Sequence, residues 1–240
     1  APFNSILSHG FVVDGKGLKM SKSLGNIMAP EDILKKYGAD ILRIWVAASD
    51  YDEDLRIDYS ILDQHAESYR KIRNTFRYIL GNLNDKFEKI DLKNLNIEEL
   101  PELEQYMLHK VYNLNLTFKK YFEVYNFHSL YKELLNFCTL DLSAFYFDIR
   151  KDILYCDPIN SKKRKSTIVF LNIILEILLK WFAPILSFTT EEIYSMLNIS
   201  KNHSIHLEKF SDIPSSWKNK NLNAKWTELI KIRDKCNGSI

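Results

Sequence analysis

The sequence predicts a mainly α fold, in which a small α+β module precedes an antiparallel α-helical bundle. Five of the seven glycines lie before residue 39, whereas glycine disfavours helix interiors. From residue 59 onward, apolar residues recur at helical spacing. The 46% apolar and 13% aromatic content suffices for a packed core. We therefore predict a loop-bearing module at 1–58, a helical bundle at 59–200 and the start of a truncated C-terminal junction region at 201–240.

The predicted module contains one strand and two short helices. The segment Phe11–Val13 is predicted as a strand that enters an Asp-Gly turn. A helix should begin at Pro30, which suits the first helical position, and end at Gly38. The following "ADILRIWVA" predicts a second helix. A glycine-flanked loop, "GKGLKMSKSLGN", thus lies between a strand and a helix.

The predicted bundle begins with a helix that has an apolar face and a basic face. Further helices are predicted at about Leu103–Tyr125, His128–Asp148, Thr167–Phe182 and Thr190–Leu197. Thr189 and Glu192 have the spacing of a capping box for the last of these. Beyond it, "IHLEKF" predicts a short strand and Ala224 to Cys236 a final helix. Short connections between long helices favour an antiparallel bundle.

Three segments resemble binding motifs but lack a residue that the motif requires. "GFVVDGKG" has P-loop spacing, but Gly17 stands at the position that requires Ser or Thr. "SDYDEDLR" resembles a calcium loop, yet Leu55 replaces the glycine of the turn. His203 and His206 have no third ligand nearby. The sequence therefore predicts no metal site, and no zinc ligands.

Composition indicates a reducing compartment. The three cysteines are widely spaced and odd in number, and no signal peptide precedes them. The apolar stretch 168–182 is about 15 residues long and contains Glu176 and Lys180, so it is expected to be a core helix and not a membrane span. We predict a cytoplasmic monomer with no membrane contact, an organelle being the alternative. Because the chain starts at Ala1, we expect a piece of a longer protein.

Nucleic-acid contacts, if present, must come from local basic patches, because the formal net charge is only +2. Two patches are candidates, each of which could equally be a solvated surface. The first is a stripe along one helix, formed by Arg70, Arg73 and Arg77. The second is a basic run before an apolar helix, formed by Lys162, Lys163, Arg164 and Lys165.

The loop residues Lys19, Met20, Ser21, Lys22 and Ser23 spell "KMSKS", followed by "LGN". By composition they could form a mobile surface loop or a phosphorylation target. The segment resembles the KMSKS signature of class I aminoacyl-tRNA synthetases. "YGADILRIWVAASDYDEDLRI" and "WFAPILSFTTEEIY" resemble the isoleucyl branch of that family, and the likeness runs almost end to end.

The resemblance implies a part of an enzyme that activates isoleucine with ATP and Mg²⁺ and charges tRNA(Ile). It implies that Lys22 acts catalytically on the ATP phosphates with Lys19 as helper, and that Met20, Ser21 and Ser23 complete the ATP-binding loop. The helical bundle would bind the anticodon stem and loop. The family's nucleotide-binding core and editing domain do not occur in these 240 residues, so this piece alone is expected to be inactive.

Two alternatives remain open at this stage. The chain could be the corresponding part of a valyl- or leucyl-tRNA synthetase, which share the loop. It could also be a non-catalytic tRNA- or RNA-binding helical module that keeps a vestigial loop. The intact pair of lysines and pair of serines favours the enzyme.

Overall fold

A computed structural model describes residues 2–83, 87–197 and 203–238. The N-terminal module contains strand β1 (Val12–Asp14), helices α1 (Pro30–Tyr37) and α2 (Ala39–Ala48) and strand β2 (Leu55–Ile57). Strands β1 and β2 pair in parallel, with Val13 opposite Arg56. The sequence predicted β1 one residue too early and missed β2.

The caps of α1 are those that the sequence predicts. Pro30 occupies the first turn, and Glu31 and Asp32 lie at the positive end of the helix dipole. Gly38 ends the helix at a φ of 82°, a left-handed backbone that glycine adopts without strain. Because Gly38 also begins α2, the two helices meet at a sharp turn.

The module has a small apolar core of its own. Its buried members come from α1, α2, β2 and the first turns of the next helix: Ile33, Trp45, Leu55, Ile57 and Leu62. The indole N–H of Trp45 donates to the Arg56 carbonyl at 2.9 Å, which ties α2 to β2. Since β2 pairs with β1, this core fixes the strand from which the KMSKS loop departs.

The remaining helices pack around one larger core. Their bounds are α3 (Tyr59–Leu83), α4 (Glu102–Glu123), α5 (Phe127–Asn136), α6 (Asp148–Cys156), α7 (Lys162–Phe182), α8 (Ser187–Met196) and α9 (Lys220–Asn237). A π-helical segment, Phe137–Phe147, joins α5 to α6 without a break. The mainly α prediction is confirmed, and 18 residues, Pro101 among them, separate α3 from α4.

A buried ion pair lies in the core of the bundle. Glu104 on α4 is fully buried and accepts two hydrogen bonds from the Arg150 guanidinium, at 2.7 and 2.5 Å. The Tyr146 hydroxyl donates to the same carboxylate at 2.8 Å. A buried carboxylate needs such compensation, because charge without a partner is costly in a low-dielectric interior.

Two sequence predictions in the C-terminal third are wrong. "IHLEKF" forms a 3₁₀ turn, Ile205–Leu207, and not a strand, because Ile205 alone of this turn is buried while Leu207 is exposed. Helix α8 begins at Ser187, two residues before Thr189, so the predicted capping box does not form. The predicted bundle boundary at residue 200 lies outside the described residues.

Helix α2 supplies the cap that α8 lacks locally. Asp40 is buried, and its carboxylate accepts from the backbone N–H groups of Phe188 and Thr189 at 3.2 and 2.7 Å. It also accepts from the Thr189 hydroxyl at 2.6 Å. A carboxylate at a helix N-terminus satisfies unpaired N–H groups and complements the positive end of the dipole.

Arg43 lies one helical turn after Asp40 on α2 and binds the other side of the connection between α7 and α8. Its guanidinium donates to the carbonyls of Ile185 and Pro184 at 2.9 and 2.6 Å, just after the end of α7. A cation there complements the negative end of that helix. Asp40 and Arg43 therefore hold the α7–α8 turn from both sides and dock the loop-bearing module on the bundle.

Among the described residues, no helix is both long enough and apolar enough to cross a membrane. The apolar stretch of α7 is buried inside the bundle, as the sequence predicts.

Candidate nucleotide and RNA interface

The KMSKS loop begins at a tight turn that one carboxylate organises. Asp14, the last residue of β1, accepts from the backbone N–H groups of Lys16 and Leu18 at 3.0 and 2.8 Å. The Asp14 N–H donates to the Leu18 carbonyl, and the Gly17 N–H donates to the Asp14 carbonyl, both at 2.9 Å. Gly17 has a φ of 81°, which explains why the turn needs glycine there.

Asn26 closes the loop against this turn. Its amide N donates to the second Asp14 oxygen at 2.9 Å and to the Lys19 carbonyl at 3.3 Å. Its amide O accepts from the Ser21 N–H at 2.9 Å. The Asn26 side chain therefore spans the loop and fixes the backbone on both sides of Met20.

The Asp14 carboxylate is held in its charged form by these contacts. The hydrogen bonds from Asn26 and from the Leu18 N–H lower the pKa of Asp14 below its ordinary value. The charged carboxylate therefore organises the turn, and it forms no ion pair with Lys19 or Lys22.

Lys19 and Lys22 are both exposed, and no described carboxylate forms an ion pair with either. Met20, between them, packs against the small core of the module. An apolar anchor between two unpaired cations holds the lysines at the surface of the module, where a phosphate group can reach them.

The two serines of the motif act on the loop itself. The Ser21 hydroxyl lies 3.1 Å from the Ser23 hydroxyl and accepts from the Leu24 N–H at 3.3 Å. Gly25 follows with a φ of 66° and donates its N–H to the Lys22 carbonyl at 3.3 Å. These contacts form a turn around Lys22 and fix the backbone of that residue.

The predicted arginine stripe lies on the exposed face of α3. Arg70 forms an ion pair with Glu67, one turn earlier on the same helix. Arg73 and Arg77 are exposed and have no ion pair among the described residues. The structure thus separates the stripe into one arginine that is neutralised locally and two that are not.

Arg73 and Arg77 line a groove of about 360 Å³ between α3 and α8. Its floor is apolar, with Phe76, Leu80 and Ile193 among the lining side chains, and Glu192 lies on its α8 side. Sequence reasoning missed this groove because α3 and α8 are far apart in the sequence and meet only through tertiary packing. A groove with an apolar floor and cationic rim suits an unstacked base with its phosphates.

The second basic patch is the first turn of α7, which begins five residues earlier than the sequence predicts. The Ser161 hydroxyl accepts from the Arg164 N–H at 3.5 Å, so Ser161 is the N-cap. Lys162, Lys163 and Lys165 are exposed. Arg164 is directed elsewhere, since its guanidinium donates to the Asp157 carbonyl at 2.6 Å.

The described residues hold no cluster of three or more His, Cys, Asp or Glu side chains arranged to hold a metal ion. The ring of His203 contacts Glu208 at 2.9 Å, whereas the ring of His206 contacts the Ser187 carbonyl at 3.1 Å. The two histidines therefore serve different partners.

Comparison with known families agrees with these features. Residues 104–240 match the family described as the anticodon-binding domain of tRNA ligase, which is more than half of the chain. The chain belongs to this family. Residues 1–58, which include the KMSKS loop, match the class I tRNA synthetases for I, L, M and V.

Two relatives match the chain over its whole length. It is 73% identical over 240 residues to the isoleucine–tRNA ligase of Pelagibacter ubique and 42% identical over 241 residues to that of Agrobacterium fabrum. The chain spans only 26% and 24% of these two proteins, so it corresponds to about a quarter of their length.

A solved structure shares the fold of this chain. It is the crystal structure of the ternary complex of Agrobacterium radiobacter K84 agnB2 LeuRS with tRNA and LeuAMS. The TM-score is 0.67 at 16% sequence identity, over 88% of this chain and 24% of that one. At this identity the likeness concerns the fold alone.

Proposed function

We propose that this chain is the part of an isoleucine–tRNA ligase that supplies the ATP-binding KMSKS loop and the surface that binds the anticodon stem and loop of tRNA(Ile). The observation that carries the proposal is the loop itself. Lys19 and Lys22 are exposed and have no described carboxylate partner, on a backbone that Asp14 and Asn26 fix. The whole-chain identity to isoleucine–tRNA ligases supports this amino acid over valine or leucine.

In the proposed reaction, the isoleucine carboxylate attacks the α-phosphorus of ATP, and negative charge builds on the departing pyrophosphate. Lys22 meets those phosphate oxygens best in the transition state, and Lys19 assists it. Met20, Ser21 and Ser23 hold the loop that carries them. Mg²⁺ would enter with the ATP phosphates, because the ammonium groups of Lys19 and Lys22 suit phosphate and not a cation.

The RNA-binding part of the proposal uses both basic patches. Arg73 and Arg77 contact phosphates beside an unstacked base that enters the α3–α8 groove. Lys162, Lys163 and Lys165 lie at the positive end of α7, with no acidic residue in its first turn. An anionic RNA backbone relieves that unfavourable arrangement. Arg70 and Arg164 contribute less, because each already has a partner within the chain.

The experiment is ATP–pyrophosphate exchange by the ligase polypeptide that carries this chain. Lys22→Ala should slow exchange about ten- to a hundredfold, since a charge-assisted hydrogen bond is worth about 1.5–3 kcal/mol. Lys16→Ala is the matched control, because Lys16 is an exposed lysine of the same loop outside the motif. Equal rates for the two variants would refute the assigned role of Lys22.

The remaining parts of the proposal concern the natural protein. We expect it to act as a cytoplasmic monomer with isoleucine, ATP and tRNA(Ile) as its substrates, and these expectations stay predictions.

A further inference from the structure

A cavity of about 250 Å³ lies where the loop-bearing module meets the bundle. Helix α2 contributes Arg43 and Ala47 to its wall. The bundle contributes three aromatic rings, Phe122, Phe127 and Trp181. The cavity therefore touches both parts of the molecule at the point where they join.

The size and walls of the cavity define the shape of an occupant. The cavity opens to solvent, since Arg43 and Val46 of its lining are exposed. A dry cavity of about 150 Å³ accommodates benzene. A volume of about 250 Å³ with aromatic walls therefore suits a planar molecule of two fused rings.

The Arg43 side chain at the wall defines the polarity of the occupant. The Arg43 guanidinium uses its Nε and Nη2 atoms on carbonyls and forms no ion pair among the described residues. It is exposed, which places it at the mouth of the cavity, and it is the one charged side chain of the described lining. Its Nη1 group has no described acceptor, so an anion at the mouth of the cavity can accept a charge-assisted hydrogen bond from it.

We propose that this cavity is a binding site for a small aromatic carboxylate, whose fused rings pack between Phe122, Phe127 and Trp181 while its carboxylate pairs with Arg43. Because such a ligand contacts α2 and the bundle at once, it binds the docked arrangement more tightly than a separated one. Occupancy therefore stabilises the joint between the KMSKS-loop module and the bundle. This site is independent of the proposed ligase function.

The test uses 2-naphthoate as the probe and the chain of 240 residues as the protein. We expect one molecule to bind with a dissociation constant of about 1 mM or lower, as a ligand of about a dozen heavy atoms should. The neutral isostere 2-naphthalenemethanol should bind at least about tenfold more weakly, since it lacks the charge that pairs with Arg43. Equal affinity of the two compounds, or no binding of the acid, overturns the proposal.

Location is tested by filling the cavity and by a signal from its wall. Ala47→Leu should abolish binding, whereas Ala224→Leu, the same change at an exposed position of α9, should leave it intact. In the unaltered chain, 2-naphthoate should shift the indole N–H resonance of Trp181 and leave that of Trp226 on α9 unchanged. Retained affinity in Ala47→Leu, or a shift at Trp226 instead of Trp181, overturns the assignment.

Discussion

Removal of the Asp40 carboxylate should loosen the docking of α2 on the bundle. The Asp40→Ala change takes the acceptor from the N–H groups of Phe188 and Thr189 and from the Thr189 hydroxyl. Phe188 is exposed, so water can replace the acceptor for its N–H. Thr189 is buried, and its two donors lose an acceptor that water cannot supply.

The expected cost follows from those two donors. A buried donor without a partner costs about 1–3 kcal/mol, and Tyr69 beside the Thr189 hydroxyl at 2.9 Å can relieve part of the loss. We therefore expect Asp40→Ala to lower the free energy of unfolding by about 2–4 kcal/mol. This exceeds the roughly 1 kcal/mol typical of an exposed helix cap.

Equilibrium urea unfolding, followed by circular dichroism, measures the loss. Asp152→Ala is the matched control, because Asp152 is an exposed aspartate on α6, and such surface changes stay within about 0.5 kcal/mol. Asp40→Asn should fall between the two, since the amide oxygen still accepts one hydrogen bond. If Asp40→Ala unfolds at the same urea concentration as Asp152→Ala, the cap from α2 does not stabilise the fold.

Three further predictions concern the loop, the core and pH. Asn26→Ala should raise the pKa of Asp14 toward its ordinary value, while the pKa of Asp58, lowered chiefly by the Ile61 N–H, stays unchanged in an NMR titration. Glu104→Gln should lower the free energy of unfolding by about 3–5 kcal/mol, because it leaves the Arg150 guanidinium buried without its counter-charge. Replacement of both Glu104 and Arg150 by Met should recover most of that loss in the same urea assay. Burial lowers the pKa of His109 below its ordinary value. As pH falls, the imidazole therefore binds a proton in the unfolded chain before it does so in the folded chain. Thermal stability should therefore fall as pH decreases from 7 to 5, and His109→Gln should show a smaller fall, whereas an unchanged slope would contradict this assignment.

Capping residues and apolar spacing in the sequence correctly predicted those helices whose ends and faces depend on neighbouring residues. Pro30 and Gly38 bound α1 as their backbone preferences require, and the apolar face of α3, with Ile72, Phe76 and Ile79, is buried as its spacing predicts. In the KMSKS loop, the motif identified the five residues but not their support. The contribution of Asn26 depends on its folding back 12 residues to Asp14, which no local periodicity reveals.

Elements decided by distant contacts could not be predicted in this way. Helix α8 starts before Thr189 because its cap is Asp40, 149 residues away in sequence. Strand β2 has three residues in a connector that is otherwise acidic and polar, and it exists because β1 pairs with it. The α3–α8 groove beside Arg73 and Arg77 likewise forms only from tertiary packing.

Anticodon reading by the bundle can be measured as binding of the chain to an isoleucine tRNA transcript and to the same transcript with a swapped anticodon. Both should be titrated across salt, because each phosphate contact adds about 0.7–0.9 to the slope of log affinity against log salt concentration. We expect tighter binding to the native anticodon. That preference should be lost in an Arg73→Ala, Arg77→Ala double variant but kept in an Arg70→Ala variant, because Arg70 is already paired with Glu67. Equal, purely salt-driven affinity for the two transcripts would contradict the claim that this bundle reads the anticodon.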